Sequence, residues 1–375
     1  MEDIKMVDLY SQYLEIKQDI DDAIQSVIHK TSFVKGAEVS AFENELAQYL
    51  SAKYVISCGN GTDALQIALM SLDLKPGDEV ITTTFTFIAT AEVIALLHLK
   101  PVLVDIDPNT FLIKTEDIES KITKRTKAII PVHLFGQCAD MESIMNIARK
   151  HNIYVVEDVA QALGSDYYFS NGTKAKAGTI GDIGCTSFFP SKNLGCFGDG
   201  GALYTNNELL AKKIRSIANH GMTQRYYHDH IGVNSRLDSM QAAILSVKLK
   251  KLDQYHRKRQ EAAVFYDKEL SDVKWIQIPQ RVTHSNHIFH QYSIVVKDNI
   301  RDELRKYLEM HKIPSMIYYP VPIHRQRAYQ HYLFNTDDFP FADYIAQHIL
   351  SLPMHTEMTI EQLSYICETI KKFKP

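Results

Sequence analysis

The segment SFFPSKNLGCFGDGG, residues 187–201, sets a single lysine, Lys192, between aromatics and glycines. A lysine whose charge is to be solvated needs no such neighbours. One whose amine must attack an aldehyde does, because flanking bulk holds it while small residues let a flat ring approach; partial desolvation or a neighbouring cation would then be needed to remove its proton. Ser187, at the head of the segment, offers a hydroxyl to an anion. In SCGNGTDAL, Gly59 and Gly61 end an apolar run and open a helical pattern. The backbone N–H groups of Gly61, Thr62 and Asp63 would then leave a helix N-terminus as anion donors, with the Thr62 hydroxyl beside them. In FTFIAT, Phe87 can lie flat on a heteroaromatic ring, although core packing is the competing role. In YVVEDVAQALGS, Asp158 follows a nearly all-apolar strand and emerges where α/β sheets bind ligands.

A buried carboxylate in that place needs a cationic or proton-donating partner. The protonated nitrogen of a pyridine ring is one; capping a helix is the alternative. Gln161 can donate to a hydroxyl on the same ring. Each stretch alone is a weak signal. Together they supply an anion cradle, a ring stack, a carboxylate for a pyridinium and an amine for an aldehyde, which is the inventory of a pyridoxal 5′-phosphate site.

The elements that must position these groups follow from periodicity. Residues 10–30 pattern as an amphipathic helix, and VSAFENELAQYLS as a second. Short apolar runs then alternate with helical stretches through KYVISCGNGTDALQIALMSL, DEVITTTFTFIATAEVIALLHL, KPVLVDIDPNTFLI, KAIIPVHLFGQCADMESIMNIARKHN and IYVVEDVAQALGS. This predicts an α/β domain whose mostly parallel sheet is covered by helices on both faces. Near residue 235 the pattern changes. LDSMQAAILSVKLKKLDQYHRKRQEAAVFYDKEL predicts one long helix, IFHQYSIVVK a strand, IRDELRKYLEMHK a helix and PSMIYYPVPIHRQ a proline-rich loop. The expected organisation is a large α/β domain over residues 1–240 and a smaller α+β domain over residues 241–375.

The chain of 375 residues is 45% hydrophobic and 23% charged, with net charge −4, so it has no general attraction for nucleic acid or anionic membrane. An anionic substrate therefore needs a locally positive site. The five cysteines form no C-x-x-C pair, which predicts free thiols in a reducing cytoplasm rather than a zinc site. The N-terminus lacks an apolar signal core, and no apolar stretch reaches the ~18–20 residues that span a bilayer. A G-x-G-x-x-G turn is missing, which argues against an NAD-dependent dehydrogenase. His284, His287 and His290 are evenly spaced, but strand-like sequence scatters such residues over both faces and no metal is expected.

In the order GNGTDAL, TFTFIAT, PVHLFGQ, VVEDVAQALGS, SFFPSKNLGCFGDGGAL, GVNSRLDSMQAAIL and YPVPIH, the chain resembles the nucleotide-sugar aminotransferases of the DegT family, fold-type I enzymes that use pyridoxal 5′-phosphate. The resemblance runs from about residue 10 to the C-terminus. It implies that Lys192 bonds covalently to the cofactor, Asp158 faces the ring nitrogen, Gln161 lies near the ring hydroxyl and Phe87 stacks on the ring. It assigns Gly61, Thr62, Asp63 and Ser187 to the phosphate. It implies a homodimer with shared active sites, in which Asn234 of GVNSR reaches the other subunit's phosphate.

Some members of that family carry histidine in place of the lysine and dehydrate their substrates; Lys192 favours amino transfer over that alternative. The implied donor is L-glutamate. The implied acceptor is a keto group of a nucleoside-diphosphate sugar, C3 ahead of C4 of a 4-keto-6-deoxy sugar, on a route to lipopolysaccharide or other surface glycans. Arg236, Tyr319 and His324 are the candidates for binding that substrate, with Arg236 equally suited to anchoring a subunit interface. A regulator or scaffold on a degenerate version of the fold would have lost the lysine or the aspartate, and both are present.

Overall fold

Neighbouring residues of a strand point to opposite faces of its sheet, so a strand written Val-Ile or Ile-Ile must be covered twice. The computed structural model, which describes residues 3–374, bears this out. Helices α1 (Leu9–Glu15), α2 (Lys17–Lys30) and α3 (Ala37–Leu50) come first. An alternating series follows: β1 (Tyr54–Cys58), α4 (Gly61–Ser71), β2 (Glu79–Thr83), α5 (Ala89–Leu96), β3 (Lys100–Val104), α6 (Thr115–Ile118), β4 (Thr126–Ile130), α7 (Met141–His151) and β5 (Tyr154–Asp158). A hairpin of β6 (Asp166–Tyr168) and β7 (Lys174–Lys176) precedes β8 (Ile183–Ser187), β9 (Gly201–Thr205) and α8 (Glu208–Ile217). A second hairpin, β10 (Met222–Gln224) and β11 (Tyr227–His228), leads to α9 (Ser239–Leu249) and α10 (Leu252–Leu270). The chain closes with β12 (Ile276–Gln277), β13 (Tyr292–Val296), α11 (Arg301–Met310), α12 (Pro340–His348), β14 (Ile349–Leu352) and α13 (Ile360–Lys372).

The large sheet runs β1-β9-β8-β5-β4-β2-β3. Its strands are parallel except β9, which pairs antiparallel with β1 and β8. Ile56, Val80, Ile130, Val156 and Leu203 pack under α4, α5 and α8. Their sequence neighbours Val55, Ile81, Ile129, Val155 and Ala202 pack under α3, α7 and α9 on the other face. Each fully buried aliphatic side chain of this kind is worth about 1.5–3 kcal/mol. The consequence for function is geometric: the carboxyl ends of β2, β5 and β8 and the start of α4 share one edge of the sheet.

The small sheet, β12-β13-β14, is antiparallel and packs against α10, α11 and α13 around Tyr266, Ile294, Leu304, Leu308 and Ile366. The expected boundary after residue 240 falls inside α9, whose Leu245 and Leu249 belong to the large core, while Ile4 packs into the small one.

Three expected elements are shorter than their patterns. The helix over residues 10–30 breaks at Ile16, which has left helical geometry (φ −125°, ψ 20°) and packs with Ile20 and Ile244. The long helix breaks at Lys250–Lys251. The strand over IFHQYSIVVK starts only at Tyr292, because the N–H groups of Ile288 and His290 bond to Gly136 and Phe135 of the neighbouring loop.

Candidate active site

At the shared sheet edge a cavity of about 640 Å³ opens, walled by Gly61, Thr62, Asp63, Phe87, Asp158, Gln161, Ser187, Lys192 and Tyr319. Nine of the twelve residues singled out from the sequence therefore meet in one place. Asn234, Arg236 and His324 are not in that wall.

Asp158 ends β5 and is buried. Its carboxylate accepts from the Thr90 hydroxyl at 2.8 Å and the Ala160 N–H at 3.1 Å. Burial raises its pKa above the ordinary carboxylate value, opposed by those two hydrogen bonds and by the nearby Lys192 and His133. A carboxyl held up in this way is matched to a partner that brings a proton, as a pyridinium does. Glu157 faces the other side of the sheet. Its carboxylate accepts from the N–H groups of Gly178, Ile180 and Gly181 and from His133 Nε2 at 2.9 Å. His133 Nδ1 accepts from the Ala139 N–H, which places the ring proton on Nε2. Of the acidic pair, only Asp158 is available to the cavity.

Lys192 sits in a loop that folds back on itself. Its own N–H donates to the Phe189 carbonyl at 2.8 Å. Gly195 passes so near that a Cβ there would lie 2.2 Å from the Pro190 oxygen. The lysine is half-buried, with its stem in the wall and its amine desolvated. That burial lowers the amine pKa to about 8, against the pull of the Asp158 carboxylate. An amine tuned this way exchanges its proton readily near neutral pH.

The anion cradle is tighter than the sequence suggested. A Cβ on Gly61 would come within 2.6 Å of Ser187 Cβ, and one on Gly201 within 2.4 Å of the Asn60 oxygen. Only glycines let the start of α4 close on the ends of β8 and β9. Asn60 caps α4, its Oδ1 accepting from the Asp63 N–H at 2.8 Å. The expectation that Asp63 offers its N–H is corrected: that donor is spent within the helix cap. The Asp63 carboxylate is in turn held by the Ser235 hydroxyl at 2.6 Å. Gly61 and Thr62, in the first turn, keep N–H groups with no intrahelical acceptor, and the hydroxyls of Thr62 and Ser187 complete the cradle.

Phe87 is 54% exposed, with its ring centroid 6.1 Å from that of Tyr319. That exposure excludes core packing and leaves a ring face for a ligand. Gln161 is more committed than expected. Its Oε1 accepts from the Phe135 N–H and its Nε2 donates to the Tyr319 hydroxyl, both at 2.9 Å. One N–H remains for a ring hydroxyl, and the side chain ties three walls together.

The three outliers differ among themselves. His324 is buried, its Nδ1 bonded to the Thr84 hydroxyl at 2.7 Å and its Nε2 to Asp343 at 3.0 Å. With both ring nitrogens taken, it fastens the YPVPIH loop to the end of β2 and has nothing left for a substrate; that expectation is corrected. Arg236 lies in a separate cleft with Lys35, Glu43 and Arg215. Asn234 is exposed and pairs by its backbone with Asn219.

Sequence reasoning missed Thr90, Phe135, Gln291 and Tyr318. Thr90 left a trace, as a hydroxyl between Ala89 and Ala91 in the first turn of α5; the others are brought in by distant segments. The three histidines go separate ways. His284 bonds to the Cys138 carbonyl, His287 stacks on Phe289 at 3.8 Å, and His290 is buried in the cavity wall. Among the described residues no group of three or more histidine, cysteine or acidic side chains is poised to hold a metal.

A desolvated amine, a raised carboxyl, a bare aromatic face and unpaired helix N–H groups fit pyridoxal 5′-phosphate at its aldehyde, ring nitrogen, ring face and phosphate respectively. The sequence model of the DegT/DnrJ/EryC1/StrS aminotransferase family matches residues 14–371. The chain belongs to this family. It is an aminotransferase.

It is 45% identical to a pleiotropic regulatory protein of Geobacillus stearothermophilus, over 99% of this chain and 98% of that one. It is 44% identical to the UDP-2-acetamido-2-deoxy-3-oxo-D-glucuronate aminotransferase of Pseudomonas aeruginosa, over 98% of this chain and 99% of that one. The crystal structure of NtdA from Bacillus subtilis with bound cofactor PMP superposes with a TM-score of 0.87 at 32% identity, covering 94% of this chain and 81% of that one.

Proposed function

We propose that the protein moves an amino group from L-glutamate to the C3 keto group of a nucleoside-diphosphate-linked N-acetylhexosamine or its uronic acid. The observation that carries this reading is the desolvated Lys192 amine facing the buried Asp158 carboxylate across one cavity. Support for C3 comes from the Pseudomonas relative, whose name specifies a 3-oxo sugar. PMP, bound by NtdA, is the aminated form of pyridoxal phosphate.

When bound, pyridoxal 5′-phosphate supplies an aldehyde that takes up the amino group and a protonated ring that withdraws electrons from the reacting carbon. Asp158 keeps the proton on the ring nitrogen, because a carboxylate in that dry setting stabilises the positive charge beside it. Lys192 Nζ removes the proton from the α-carbon of the donor and returns one at the next step, a task suited to an amine whose pKa lies near the working pH. Phe87 holds the ring flat. Gly61, Thr62 and Ser187 anchor the phosphate.

Among the described residues, Lys192 is the only lysine or arginine in the wall. A diphosphate therefore needs cations from outside it. Arg236 and Lys35 stand together in their own cleft, and the exposed Asn234 lies on the same stretch. We read these as groups offered to the cavity of a second copy, in a homodimer with shared sites. We propose that the reaction runs in the cytoplasm, whose reducing conditions suit the five buried free thiols; no helix among the described residues is long and apolar enough to cross a membrane.

A regulatory role alone gives no reason to keep a desolvated lysine and a buried aspartate face to face. The absorption spectrum of the purified holoenzyme tests the reading. L-glutamate should bleach the visible band, and a UDP-linked 3-keto-N-acetylhexosaminuronate should restore it with formation of the 3-amino sugar. A visible band indifferent to every amino donor would overturn the assignment.

A further inference from the structure

The loop carrying Lys192 is gripped from behind by one face of α9. Gln241 bonds to Phe197 in both directions, its Oε1 accepting from the amide N–H at 2.8 Å and its Nε2 donating to the carbonyl at 3.2 Å. Two turns further along the same helix, Lys248 Nζ donates to the Gly195 carbonyl at 2.6 Å. Between these anchors, the Cys196 N–H donates to the Phe188 carbonyl at 2.8 Å. Gly195 itself lies against the Pro190 carbonyl, so the strand of loop that α9 holds is the strand that packs on the turn bearing Lys192.

Lys248 is an unusual residue for this task. The residue is 2% exposed, and among the described residues its ammonium donates to a backbone carbonyl and is paired with no carboxylate. Its ammonium has the Gly195 oxygen and, at 5.6 Å, the face of Phe197. Burying an unpaired ammonium costs several kcal/mol, and an apolar side chain at this core position would avoid that cost. What the ammonium gains is a strong, directed hydrogen bond to one backbone carbonyl three residues from the reactive lysine.

We propose that Lys248 and Gln241 are positioning residues for Lys192: by fixing the backbone of residues 195–197 they set where its amine points in the cavity. The proposal rests on the assignment of Lys192 as the cofactor-bonding residue. With the loop backbone held by these three hydrogen bonds, the lysine amine keeps its aim through both halves of the reaction, whereas a displacement of about 1 Å at the reacting atom costs up to ~100-fold in rate.

The test compares the holoenzyme with Lys248→Met, Lys248→Arg and Gln241→Ala. Gln241 is partly exposed at the rim of α9, so Gln241→Ala remains informative should Lys248→Met not fold. The expected result for Lys248→Met and Gln241→Ala is a fall in kcat of roughly tenfold with KM for the keto sugar changed by less than about twofold. The midpoint of the pH titration of the visible band should move by about half a pH unit or more, and Lys248→Arg, which keeps an N–H donor, should restore part of both.

A second readout needs no cofactor: in protein stripped of it, the rate at which trinitrobenzenesulfonate modifies Lys192, located by peptide mass spectrometry, should change in the same variants. Folded variants with wild-type kcat, titration midpoint and labelling rate would overturn the proposal. If the wild type itself shows no visible band, the cofactor assignment fails, and the labelling rates alone then decide whether α9 positions this amine.

Discussion

Replacing Lys192 by methionine should make the cofactor-free protein more stable while abolishing its activity. Burial lowers this amine from the ordinary lysine value of 10.5 to about 8. At 1.36 kcal/mol per factor of ten in the proton equilibrium, that fall corresponds to roughly 3 kcal/mol of unfavourable free energy in the folded state. The cavity leaves part of the side chain in contact with water, which reduces the expected effect to about 1–3 kcal/mol.

The direction with pH follows from proton counting. Below pH 8 both folded and unfolded chains carry the proton, and the full cost of desolvating it weighs on the native state. Between about 8 and 10.5 the unfolded chain binds more protons than the folded one, so native stability rises with pH; above 10.5 the cost is gone. Lys248, also lowered to about 8 by burial, adds a contribution of the same sign that Lys192→Met leaves in place. Urea unfolding of the stripped wild type and Lys192→Met at several pH values between 7 and 11 measures the difference directly. The variant should be the more stable at pH 7, with the gap closing as the pH approaches 10.5. A wild type that is the more stable at pH 7, or a gap independent of pH, would refute the argument that this amine is held desolvated.

Phe87→Ala should leave unfolding stability within about 0.5 kcal/mol, because the ring is more than half exposed, yet weaken pyridoxal phosphate binding roughly 3- to 10-fold through loss of ring stacking. Equilibrium dialysis reads the second effect and thermal unfolding the first. His324→Ala should do the reverse. Losing its bonds to Thr84 and Asp343 should cost about 2–4 kcal/mol of stability, while KM for the nucleotide sugar changes by less than about twofold. A large rise in KM without loss of stability would return His324 to the substrate site.

The legible part of the site was the part written locally. Lys192 with its glycines, Asp158 at the end of an apolar strand, and Gly61 before a helix each carry their neighbours within a few residues, and the structure brings them together as that local chemistry demands. The mostly parallel sheet was legible because pairs such as Val155–Val156 require cover on both faces. What escaped depends on distant segments. Gln161 is engaged by Tyr319, 158 residues away, and His324 by Thr84, 240 residues away, contacts that no spacing rule encodes. The reversal of β9 was likewise invisible, because an apolar strand reads the same in either direction. Asn60 was different: an asparagine directly before a helix start is a cap signal, and weighing it would have shown that the Asp63 N–H is already taken.

Everything functional depends on which amine bonds to the cofactor. Borohydride reduction of the holoenzyme, followed by proteolysis and peptide mass spectrometry, makes that bond permanent and locates it. The account predicts a single modified peptide with the pyridoxyl group on Lys192, and none in Lys192→Met. Modification at another lysine, or of the variant to the same extent as the wild type, would contradict it.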